Sequence, residues 1–60
     1  MERHEIEVDA LVRHYESDDE GTIVGIATRV GVTGVWIEYD YEIRIVYLDD
    51  MLSSYTLAGK

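Results

Sequence analysis

Proline is absent from this chain and no helical stripe runs through it; the apolar residues alternate, or cluster among β-branched and aromatic neighbours, as strands require. The sequence therefore predicts a mostly β protein. Ile6, Val8, Ala10 and Val12 fall on one face, with Glu5, Glu7, Asp9, Leu11 and Arg13 on the other, so residues 4–14 read as a first strand. Glu16-Ser17-Asp18-Asp19-Glu20-Gly21 holds no apolar residue and ends on glycine, which marks a turn or short loop. A second strand over residues 22–30 is dense in β-branched side chains, with Gly25 placed where a bulge or sharp bend is expected. Residues 31–34 carry a glycine at each end and read as a turn, followed by strand three over residues 35–39.

The next connection is chosen by pairing. A three-residue loop at Asp40-Tyr41-Glu42 sets Tyr39 against Ile43, Glu38 against Arg44, Ile37 against Ile45, Trp36 against Val46 and Val35 against Tyr47. That register matches apolar residues with one another and an acid with the nearest base. A two-residue Asp40-Tyr41 turn would put Ile37 against Arg44 and Glu38 against Ile43, mixing the faces, and is disfavoured; a five-residue loop is also in phase. Beyond Leu48, Asp49-Asp50-Met51-Leu52-Ser53-Ser54 offers a capping acid and a short apolar turn, which fits a 3-10 turn better than a helix. Residues 55–57 make a last short strand and residues 58–60 a frayed tail.

Three segments, Gly21-Thr22-Ile23-Val24-Gly25-Ile26, Gly34-Val35-Trp36-Ile37-Glu38-Tyr39-Asp40 and Arg44-Ile45-Val46-Tyr47-Leu48-Asp49-Asp50-Met51-Leu52, carry a family likeness. Together they resemble the SH3-like C-terminal domain of ribosome maturation factor RimP, and also short Sm-like proteins. The resemblance implies an all-β fold, a small five-stranded SH3-like or Sm-like barrel with a 3-10 turn before the last strand, as one domain over residues 1–60. RNA-binding Sm-like proteins line a pore with aromatic and basic residues. This chain has Tyr and Asp with hardly any base, so the RNA-binding role is not carried over.

Size and charge narrow the function classes. A chain of 60 residues has room for one small core, which nets about 3–5 kcal/mol and leaves self-association or the solvent to supplement it. With no cysteine, disulfides, thiolate zinc sites and thiol catalysis are excluded. No apolar run approaches the roughly 18 residues of a membrane span. The start Met-Glu-Arg-His-Glu lacks the basic region and apolar stretch of a signal peptide, so a cytoplasmic protein with no membrane partner is expected. Thirteen Asp and Glu against five Lys and Arg give a net charge of −8, with the bases scattered singly, which argues against direct binding of nucleic acid. The only lysine is Lys60, a composition that resembles proteins of salt-accumulating halophiles. At about 1 M salt the Debye length is near 3 Å and self-repulsion is largely screened. A small acidic decoy of phage type, and ordinary acidity in a mesophile, are the rival readings.

Several candidate sites come with a plainer explanation. His4 and His14 are the side chains that titrate near neutrality, but on one strand they would stand roughly 33 Å apart, too far to share an ion within a chain. Glu5, Glu7 and Asp9 form an acidic stripe with neighbours about 6.6 Å apart, better suited to a solvated strand face than to a chelate. Asp18, Asp19 and Glu20 extend the acidic surface without the alternating ligands of a calcium loop. No phosphate loop, nucleophile with a nearby base or metalloprotease pattern occurs, so neither catalysis nor a cofactor or metal is expected. In the register chosen above, Trp36, Val46 and Leu48 form an apolar strip on the second face of the sheet, the candidate interface; the alternatives are a barrel that curls until Trp36 closes its own core, and a platform on which a ligand stacks.

The sequence reading is a non-enzymatic adaptor or protein-interaction module that self-associates into a homo-oligomer, in a high-salt cytoplasm, or meets a basic protein partner. Its alternatives are a phage-type inhibitor that mimics nucleic acid toward a basic host protein, and an oligomer that sequesters a small nucleotide between subunits.

Overall fold

The computed structural model describes residues 1–59. A 3-10 turn at Arg3–Glu5 leads to β1 (Leu11–His14), β2 (Glu20–Arg29), β3 (Val32–Glu38) and β4 (Ile43–Tyr47), then α1 (Leu48–Ser54) and β5 (Tyr55–Leu57). The five strands form one antiparallel sheet in the order β4-β3-β2-β1-β5, leaving β4 and β5 as its edges. The all-β expectation holds at this level. The core lies on one face of the sheet, where Val12, Ile23, Val35, Ile37, Met51 and the flanking Tyr39, Val46 and Tyr55 are buried, with Met1, Ile6 and Ala10 tucked against them.

The anticipated bend in β2 is a β-bulge. Ile23 pairs with Ile37, but Gly25 rather than Val24 comes opposite Trp36, so Val24 is the extra residue. Strict alternation would turn Ile23 and Ile26 to opposite faces. The extra residue restores phase, and Ile26 comes to pair with Val35 on the core side.

Four expectations are corrected. The first strand does not span residues 4–14. Ala10 N–H donates to Glu7 O (3.1 Å), closing a turn that holds Asp9 at φ 79°, and only Leu11–His14 is strand. Aspartate tolerates that left-handed conformation, which an alternation pattern does not register. The turn expected at residues 31–34 is a two-residue turn at Val30-Gly31, with φ of 53° and 78°, and β3 begins at Val32. Two positive φ values define the type I′ turn that suits a right-twisted hairpin.

The β3–β4 register is the one disfavoured from sequence: Glu38 faces Ile43, Ile37 faces Arg44, Trp36 faces Ile45, Val35 faces Val46 and Gly34 faces Tyr47. Arg44 is accommodated on the core side because its guanidinium lies over the Tyr39 ring, 5.7 Å from the centroid, and pairs with Glu42 at the margin of the sheet. Finally, residues 48–54 are an α-helix rather than a 3-10 turn. Leu48, Met51, Leu52 and Tyr55 follow helical spacing, and α1 uses it to seat Met51 over β3, β4 and β5. Of the expected frayed tail, Ala58 N–H donates to Leu11 O (2.8 Å), and Lys60 lies outside the described residues.

Candidate interaction face

The register decides what the second face of the sheet presents. Trp36 lies there, 37% exposed, and its neighbours on β4 are Ile43, Ile45 and Tyr47. Val46 pairs with Val35 on the core side and is buried, and Leu48 is the half-buried first residue of α1; neither adjoins Trp36 on the outer strip. A shift of one residue exchanges every side chain of β4 between faces. Gly34 sits under the strip: a Cβ there would lie 3.0 Å from Ile45 Cδ1 and 3.6 Å from Trp36 Cζ3. The glycine thus lets Ile45 and Trp36 close over the backbone, leaving a shallow hollow of about 370 Å³. Arg29, Val32, Gly34, Trp36, Ile45 and Tyr47 are among the residues that line it. Val24 and Val32 extend the exposed apolar surface along β2 and β3. Large contiguous apolar patches are uncommon on the surface of soluble monomers.

A second cluster lies where the β1–β2 and β3–β4 loops meet. Tyr39 and Tyr41 stack with ring centroids 5.7 Å apart, the hydroxyls of Tyr39 and Tyr55 are 3.4 Å apart, and the Tyr41 hydroxyl donates to Asp19 Oδ2 (3.4 Å). The His14 ring meets Tyr55 edge to face, while Glu16 N–H donates to His14 Nδ1 (3.1 Å), which leaves the proton of the neutral ring on Nε2. Burial, then the hydroxyl of Tyr55, push the Tyr39 phenol far above its ordinary value. Tyr41 is raised by partial desolvation and next by the Asp19 carboxylate, and Arg44 by its bond to Glu42. Tyr39, Tyr41 and Arg44 are thereby held in their protonated forms, and the Tyr41–Asp19 bond ties the two loops together.

The predicted acidic surface is dispersed. Glu5 accepts from Glu2 N–H (2.8 Å) in the 3-10 turn, Glu7 is exposed, and Asp9 belongs to the turn before β1, so the three do not share a strand face. Asp18 sits in the β1–β2 loop at φ 62°, Asp19 meets Tyr41, and Glu20 pairs with Arg13 at 3.3 Å. His4 lies in the 3-10 turn and His14 ends β1, so they share no strand either. Among the described residues no group of three or more His, Asp or Glu converges as a metal site, and no helix is long and apolar enough to cross a membrane. Ile43, Ile45 and Tyr47 were hidden from sequence reasoning by the register. The signal that finds them is Gly34, a small residue between bulky ones on a strand. No protein-family model, curated protein or solved structure matches this chain.

Proposed function

We propose that this protein is a small non-enzymatic interaction module of the SH3-like or Sm-like barrel type, working in a salt-rich cytoplasm through the outer face of β2, β3 and β4. The observation that carries the reading is the uncovered strip of Trp36, Ile43, Ile45 and Tyr47 around the Gly34 hollow, on a chain whose core occupies only the opposite face. The barrel assignment is supported by the bulge that bends β2 and by the short helix leading into the last strand. The acidic composition with a single lysine supports the saline setting.

Site-specific photocrosslinking in the cells that make the protein tests the reading. A benzophenone side chain replacing Val32 on the outer face should yield discrete crosslinked products. The same group replacing exposed Glu16 in the β1–β2 loop should yield far fewer. Equal labelling from both positions, or none from Val32, would refute the face as the site of interaction.

A further inference from the structure

Which partner the strip receives is written into the edge strand beside it. We infer that a second copy of this chain pairs with the first along β4, antiparallel and about a two-fold axis at Ile45; this rests on the reading of the outer face as an interaction surface. Tyr39 N–H donates to Glu42 O (2.7 Å), which identifies Tyr39 and Glu42 as a hydrogen-bonded pair of the β3–β4 ladder. Such pairs alternate along an antiparallel ladder, so Arg44 and Val46 also turn their main-chain groups toward β3. Ile43 and Ile45 then direct both N–H and C=O to the open edge, and Tyr47 its N–H, its carbonyl being used by α1. The residues with free main-chain groups are the same ones whose side chains form the strip.

Self-pairing about Ile45 sets Ile45 opposite the partner's Ile45 and Ile43 opposite the partner's Tyr47, both favourable cross-strand pairs. The apolar strips of the two copies become continuous, flanked on each side by a Trp36. β4 lacks several of the usual guards of an edge: it holds no Lys, no Pro and no bulge, and its one charge, Arg44, is engaged by Glu42 and Tyr39 on the core side. The other edge, β5, is three residues long and a poorer template. No carboxylate lies on β4 itself; Asp40, Glu42, Asp49 and Asp50 flank it and bring like charges to both ends of the pairing, a repulsion that salt weakens.

Sedimentation velocity of the purified protein in dilute and in molar KCl, combined with amide hydrogen exchange, tests this. A dimer that tightens with salt is expected, with the Ile43 and Ile45 amides protected at high protein concentration and exchanging freely on dilution. Ile45→Pro removes an outward N–H without breaking the β3 ladder and should weaken the dimer at least about tenfold, whereas Glu16→Gln, exposed in the β1–β2 loop and away from both face and edge, should leave it within about threefold. A wild-type monomer at all concentrations in molar KCl overturns the inference. So does a dimer whose edge amides exchange freely, which would mean stacking of faces; this measurement decides even if Ile45→Pro fails to fold. A monomer that still crosslinks another protein from position 32 overturns self-pairing while the interaction-face reading stands.

Discussion

Val30 stands 93% exposed at φ 53°, a conformation in which a β-branched side chain crowds the backbone. The turn needs positive φ at two successive residues, and Asn-Gly is the pair that adopts this at least cost. Val30→Asn should therefore stabilise the protein by about 1 kcal/mol in urea denaturation, with an unchanged m-value. A loss of stability would show that the Val30 side chain has a contact that outweighs its strain. Tyr39 makes the pH prediction. Its phenol is raised in the folded state above an unfolded value of about 10, so its contribution is fully present below pH 10 and is lost as the pH climbs beyond. Tyr39→Phe should cost no more than about 1 kcal/mol at neutral pH, because its hydroxyl contact with Tyr55 is long, and should flatten the alkaline loss of stability. An alkaline transition unchanged by the substitution would remove Tyr39 as its source.

At the level of elements, legibility depended on whether a residue pattern had one structural solution. The β2 bulge beside Gly25 and the strand at residues 55–57 were legible because a glycine within a β-branched run, and a short apolar run after two serines, leave few alternatives. The β3–β4 register was not, because matching Glu38 with Arg44 treats the arginine as a point charge. In the fold its long stem reaches past the edge of the core to Glu42 and Tyr39, and burial of Val35, Ile37 and Tyr39 together requires Val46 inside. The interaction strip was lost with the register, apart from Trp36. The helix was legible in principle, since Leu48, Met51, Leu52 and Tyr55 keep helical spacing, but so short a stripe is easily read as a turn. Its weight in the core can be measured: Met51 is fully buried, so Met51→Ala should cost about 2–5 kcal/mol, most of what a core of this size supplies. Thermal unfolding followed by far-ultraviolet circular dichroism should then lose its cooperative transition at low salt. A variant that melts within a few degrees of the wild type would mean that α1 merely caps the sheet.

For the whole molecule the net charge of −8 and the one-sided core act against each other. Among the described residues two ion pairs form, Arg13 with Glu20 and Arg44 with Glu42, and both are surface-exposed, so they offset little of the repulsion. Screening must supply the difference. Raising the ionic strength from about 0.01 M to 1 M shortens the Debye length from about 30 Å to about 3 Å. The first of these lengths equals the 30 Å long axis of the molecule, so in dilute buffer all of its carboxylates repel one another. Stability should accordingly rise by about 1–2 kcal/mol across that range, or roughly 5–15 °C in Tm for a chain this short. The cause can be separated from a general salt effect on apolar burial by removing charge at exposed positions. Glu7→Gln, Glu16→Gln and Asp40→Asn together change the net charge from −8 to −5 (−8 + 3). If repulsion is the cause, the triple variant gains Tm in dilute buffer and shows a shallower salt dependence, with the two proteins converging in molar KCl. Parallel curves would assign the salt response to burial of apolar surface, and the acidity would then say nothing about the medium in which this protein folds.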